Sequence, residues 1–177
     1  DPGLTQLARV YFDLQDNDRM KIYHEDARTY LNRSDKKYDV IYGDLFKSQM
    51  VPFYLATQET AQKIYDHLND GGVVLVNLVT AVRGDKSRML EAEYATYKSV
   101  FPQVYVFVVH GLDKPNNIQN VMLVGLKSAK KIDWQSNDPE ISQYLKNRWV
   151  GPIGSMPILK DNFSPVEKYA EYSYSGL

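Results

Sequence analysis

Two hydrophobic rhythms alternate along the chain. In "YDVIYGD" (residues 38–44) and "GVVLVNL" (72–78) apolar residues run on almost unbroken, the pattern of strands buried on both faces of a sheet. Between them, Ala61, Ile64, Tyr65 and Leu68 recur at the three-to-four spacing of one helix face, with Thr57 placed to cap it and Glu59 in its first turn. Leu90, Tyr94, Tyr97 and Phe101 mark a second helix in "SRMLEAEYATYKSVF", and "QVYVFVV" and "NVMLVGL" are two further strands joined by the polar turn "DKPNN". Nearer the start, Met20, Ile22 and His24 alternate with polar neighbours and predict another strand, followed by a short helix over residues 27–31. The pattern therefore predicts strands near 20–25, 38–43, 72–78, 103–109 and 120–126. It predicts helices near 3–14, 58–69, 87–100 and 138–147, with "NDGG" (69–72) stopping the second of these. The predicted core includes Val40, Ile41, Val74, Leu75, Val76, Val106, Val108 and Leu123.

Strands alternating with helices imply an α/β fold: a Rossmann-like, mainly parallel sheet with helices on both faces. The last two strands are joined by too short a turn for a crossover, so that pair is expected to be antiparallel. One domain over residues 1–177 is expected, its segment 151–177 an irregular tail carrying Pro152, Pro157 and Pro165.

Composition mostly removes possibilities. The 177 residues carry 21 Lys and Arg against 22 Asp and Glu, with no basic block, so no nucleic-acid partner is expected. No apolar run is long enough to span a bilayer and no signal-peptide pattern stands out, so we expect a cytoplasmic protein without a membrane segment in this chain. Cysteine is absent, and His24, His67 and His110 lack metal-ligand spacing, so no metal site is expected.

The candidate chemistry lies where strands end. Predicted strands 20–25 and 38–43 run into Asp26 and Asp44, and open α/β sheets bind ligands beyond the carboxyl ends of their strands. Taken alone, the residues leave blander readings open: Asp26 as a helix cap before Arg28, and Asp44 as a solvated strand end.

The ordered set Asp26-Ala27-Arg28, "YDVIYGD", Pro52, Leu55 and Thr57, then "LNDGGVVLVN" and the closing "ILKDNFSPVEKY", resembles the spermidine synthase-like branch of class I S-adenosylmethionine-type Rossmann proteins. The resemblance implies a transferase that moves an aminopropyl group from decarboxylated S-adenosylmethionine to an amine. The nucleoside, S-adenosylmethionine or its decarboxylated form, would be a co-substrate rather than a tightly bound cofactor. It further implies that Asp26 accepts a hydrogen bond from the adenine amino group, that Ala27 lies beside the ring, and that Asp44 helps deprotonate the attacking amine. Leu45, Pro52 and Leu55 are candidate walls of one cleft holding both acids.

Two departures qualify this. The family's second diamine-binding acid is replaced in Asp44-Leu45-Phe46-Lys47 by a cation, and the polyamine-holding pattern is not evident in "HGLDKPNNIQN". At about 5 Å a like-charge contact costs roughly 3 kcal/mol at an effective dielectric near 20, enough to disfavour a diamine if Lys47 points inward. Nor is there a G-x-G-x-x-G turn, so the chain looks like the C-terminal portion of a longer protein, inactive by itself. In the family's strand order 3-2-1-4-5-7-6, the strands at 20–25 and 38–43 are bridged by two upstream strands. Their open edges are expected to re-pair within the chain or to be covered by a second copy, making a homo-oligomer. An S-adenosylmethionine-dependent methyltransferase and a non-catalytic nucleoside-binding or structural domain stand as alternatives.

Overall fold

The computed structural model describes residues 1–46 and 51–174, which form two compact units, Asp1–Ser34 and Asp35–Leu177. The first contains helices α1 (Pro2–Tyr11) and α2 (Ala27–Arg33) and has no fully buried residue. Asp1 caps α1, accepting from the amide of Gly3 at 2.8 Å, and Pro2 fits the first turn.

Residues 20–25 do not form the expected strand. An extended segment needs a neighbour's edge to satisfy its amides and carbonyls, and no described strand pairs with this one. Side chains hold it against α2 instead. Glu25 forms an ion pair with Arg33, whose guanidinium lies 5.9 Å from the ring centroid of Tyr23 and 5.3 Å from that of Tyr30. The hydrogen bond from Arg33 lowers the Glu25 carboxyl below its ordinary range.

The second unit holds a four-stranded sheet. Its strands are β1 (Tyr38–Gly43), β2 (Leu68–Thr80), β3 (Gln103–Val108) and β4 (Gln119–Leu126), in the order β1-β2-β4-β3. β1 runs parallel to β2, while β4 is antiparallel to both β2 and β3. The sheet is therefore mixed where a mainly parallel one is expected, because β4 runs antiparallel to both of its neighbours and β1–β2 is the one parallel pair among the described residues. The α/β Rossmann-like class holds, and the order is the 4-5-7-6 half of the class I pattern.

α3 (Gln58–His67) lies between β1 and β2 and α4 (Arg88–Lys98) between β2 and β3, while α5 (Pro139–Leu145) and α6 (Val166–Tyr174) follow β4. Even-numbered residues of β2 from Val74 to Thr80 are buried, and α3, α4 and α6 contact this strand. Gly125 of β4 is needed for that closeness: a Cβ there would sit 3.0 Å from both the Phe101 ring and Val74. Phe101 in turn stacks on Tyr97 and meets Tyr65 edge-on at 5.3 Å. Odd-numbered residues of β2 face the other way and are half-buried. On that side Trp134 packs edge-on against Tyr105 at 4.6 Å, with Arg148 above it.

This alternation corrects part of the predicted core. Val74, Val76, Val106, Val108 and Leu123 are buried, but Val40 is 41% exposed, and Ile41 and Leu75 are half-buried. The apolar run of β1 reads as buried on both faces, yet β1 is an edge strand and Val40 points away from the helices. The "NDGG" stretch is likewise not simply a helix stop. It forms a bulge within β2, where the register jumps from Tyr38↔Leu68 to Val40↔Val73 and Gly71 adopts a φ of 77°.

The tail is not irregular throughout, since it contains α6, and its earlier part is a strap. The amide of Leu159 donates to Thr96 Oγ1 at 2.9 Å on α4, and its carbonyl accepts from Gln58 at the start of α3 at 2.8 Å. Asp161 accepts from Thr57 Oγ1 at 2.7 Å, beside the positive end of α3. We expect Asp161→Ala to lower unfolding free energy by about 1–2 kcal/mol, the loss of one hydrogen bond to a buried hydroxyl. A denaturant titration with an unchanged midpoint would remove Asp161 from the strap.

Candidate functional site

Asp44 directly follows the last residue of β1. The parallel register sets Gly43 against Val76, so the next step brings Asp44 abreast of Asn77. Asn77 Nδ2 donates to Asp44 Oδ1 at 3.1 Å, while Oδ2 has no hydrogen-bond partner among the described residues. A carboxylate only accepts, so the amide must present its nitrogen to it. The result is an exposed carboxylate at the carboxyl end of the parallel β1–β2 pair, with one oxygen oriented by Asn77 and the other without a hydrogen-bond partner among the described residues.

Leu45 follows Asp44 and is 42% exposed. Pro52 and Leu55 are half-buried and belong to the same β1-to-α3 connection, bounding the 3-10 turn Phe53–Leu55, in which the amide of Leu55 donates to the Pro52 carbonyl at 2.9 Å. The polar side of this connection is fixed: Thr60 Oγ1 donates to the Tyr54 carbonyl at 2.6 Å, and Thr57 caps α3. Lys47 lies outside the described residues.

The far end of β2 is also pinned. The Pro115 carbonyl accepts from the amides of Val82 and Arg83 at 2.8 and 2.9 Å, so the β3–β4 loop closes over the exit of β2. Buried Gln119 takes the amide of His110 at 2.9 Å.

Asp26 belongs to the first unit and Asp44 to the second. Asp26 is the N-cap of α2, its Oδ1 accepting from the Thr29 amide at 3.0 Å, and Ala27 is the helix's first residue. The capping role read from the sequence is therefore present, and Asp26 is exposed at the tip of the helix.

Asn77 is the residue that pattern reading passes over. Its signal is visible in hindsight: "GVVLVNL" is apolar except for this amide, a residue type disfavoured in strands and costly there without a partner. Among the described residues no group of three His, Asp or Glu side chains could hold a metal ion, and no helix is long and apolar enough to cross a membrane.

Comparison with known proteins bears on this arrangement. Residues 4–134 match the family described as "Spermine/spermidine synthase domain". A polyamine aminopropyltransferase of Vibrio vulnificus (strain CMCP6) is 30% identical over 139 residues, covering 77% of this chain and 44% of that protein. An eEF1A lysine and N-terminal methyltransferase of Bos taurus is 32% identical over 123 residues, covering 63% of this chain and 17% of that protein. Among solved structures, a probable spermidine synthase from Corynebacterium glutamicum ATCC 13032 superposes with a TM-score of 0.67 at 23% identity, covering 99% of this chain and 59% of that one. The chain thus spans about half the length of the aminopropyltransferase it matches.

Proposed function

The chain belongs to the spermine/spermidine synthase domain family, and from that premise we propose that its full-length protein transfers an aminopropyl group from decarboxylated S-adenosylmethionine to an amine acceptor. The observation that carries this reading is the Asp44 carboxylate at the end of β1, with one oxygen held by Asn77 and the other without a hydrogen-bond partner among the described residues. An amine is protonated at neutral pH and has no lone pair to attack with. A carboxylate within reach removes that obstacle as general base. Asp44 Oδ2 takes the proton, and the amine nitrogen forms a bond to the carbon beside the sulfonium. The carbon–sulfur bond breaks, its electron pair returns to sulfur, and a neutral thioether leaves. A negative side chain near the sulfonium also favours the cationic donor.

In this reading Leu45, Pro52 and Leu55 supply apolar wall in the second unit, while Asp26 and Ala27, in the first, are the adenine-end candidates that the family resemblance names.

Methyl transfer is the second reading, favoured by the similarity to the bovine methyltransferase. The two differ in the nucleoside they select, because only S-adenosylmethionine carries the carboxylate that its decarboxylated form has lost. Titration calorimetry on the full-length protein should show the decarboxylated form binding at least tenfold more tightly. Tighter binding of S-adenosylmethionine would favour the methyltransferase instead.

A further inference from the structure

We infer that Asn77 is a positioning residue for the transfer step, holding the Asp44 carboxylate in the orientation from which Oδ2 can take the acceptor's proton; this rests on the assignment of Asp44 as base. Three features of the chain carry it. Asn77 is the single polar residue in residues 72–78 of β2, and it falls where the parallel ladder sets it beside the first residue past β1. Its nitrogen reaches Asp44 Oδ1 at 3.1 Å. Its parity along β2 matches that of half-buried Val73 and Leu75, so it faces away from the side packed by α3, α4 and α6 and contributes no apolar contact to that core.

The physical need is rotational. Asp44 has left the strand and is exposed, so its carboxylate is free to turn about its side-chain torsions unless something fixes it. One donor on Oδ1 fixes the plane of the group and leaves the second oxygen pointing elsewhere. A base must meet its proton within about 3.2 Å, so an orientation maintained before the amine arrives removes part of the entropy from the step. The same bond could simply stitch β1 to β2, and kinetics separate the two roles.

The test is a double-mutant cycle on the full-length protein, with decarboxylated S-adenosylmethionine and the amine it accepts best. Asn77→Ala should lower kcat about tenfold, the size of one lost hydrogen bond to a charged group, with KM for both substrates within about twofold. Asn77→Leu, of similar shape but without the donor, should lose as much, whereas Asn77→Gln, which keeps the amide, should recover part of the rate. In the Asp44→Asn background, Asn77→Ala should cost little more, because the base it orients is gone. An equal loss in both backgrounds, or an unchanged kcat in Asn77→Ala and Asn77→Leu, would overturn the positioning role. Parental kinetics for Asp44→Asn alone would instead remove the base assignment, and this inference with it.

Discussion

Asp44→Asn in the full-length protein is expected to lower the rate of amine transfer by about 100-fold or more while changing nucleoside affinity only a few-fold. The size follows from what is lost. Asparagine has nearly the shape of aspartate and can still exchange a hydrogen bond with Asn77, so the end of β1 keeps its geometry. It cannot accept a proton, and positioned acid–base groups contribute about 10²–10⁴-fold. The split matters as much as the magnitude. A base acts on the acceptor amine in the transition state, so its removal should appear in kcat rather than in the dissociation constant for the nucleoside. Rapid-quench single-turnover rates beside equilibrium titration would measure both. Transfer at the parental rate would exclude Asp44 from the chemistry.

The second large effect concerns stability. Glu93, on α4, is buried and its Oε2 has no hydrogen-bond partner among the described residues. Burial disfavours the charged form, and the carboxyl is pushed up from its ordinary value of 4.5 to about 8. Burial also raises Tyr97, with Glu93 adding to the shift. The sign of the linkage is unusual for an acid. Between pH 4.5 and about 8 the unfolded chain has released this proton and the folded chain retains it. Stability from this group is therefore greatest below pH 4.5, falls as pH rises by about 1.4 kcal/mol per unit, and levels off above about 8. Glu93→Gln keeps the shape and cannot ionise. The difference in unfolding free energy between Glu93→Gln and the parent should grow steadily in favour of the variant across that window, as read by denaturant titrations at several pH values. Parallel pH profiles for the two proteins would mean that Glu93 is ionised in the fold.

Neither residue is equally legible in the sequence, and the reasons differ. Glu93 falls in the helix spacing of "SRMLEAEYATYKSVF" beside Leu90 and Tyr97, on the covered face, where a charge-bearing residue reads as solvent-facing because burial depends on what packs above it. The tail supplies part of that packing: Leu159 and Val166 join Met89 and Ala92 in one buried cluster, a contact across some seventy residues that periodicity in α4 does not carry. Asp44 is legible, since a strand end followed by a turn and a helix start places its acid at the ligand side of the sheet. Asn77 is not, because its role depends on the register between β1 and β2, which the bulge at residues 69–72 shifts.

The strands follow the same division. β2, β3 and β4 are central or paired on hydrophobic faces and were readable from their apolar runs. Residues 20–25 have strand composition but pair with no described strand, and the Glu25–Arg33 contact draws them to α2 instead. A ladder depends on a neighbour as much as on its own residues, so alternation alone overstates this segment.

The most direct test of the account is the product itself. Full-length protein would be incubated with decarboxylated S-adenosylmethionine and a panel of diamines and longer polyamines, and in parallel with S-adenosylmethionine, and the amines analysed by mass spectrometry. The account predicts an acceptor that gains one aminopropyl group, with release of the thioether nucleoside, and a loss of that product in Asp44→Asn. Methylated acceptor from S-adenosylmethionine, with no aminopropyl product from any amine, would contradict it.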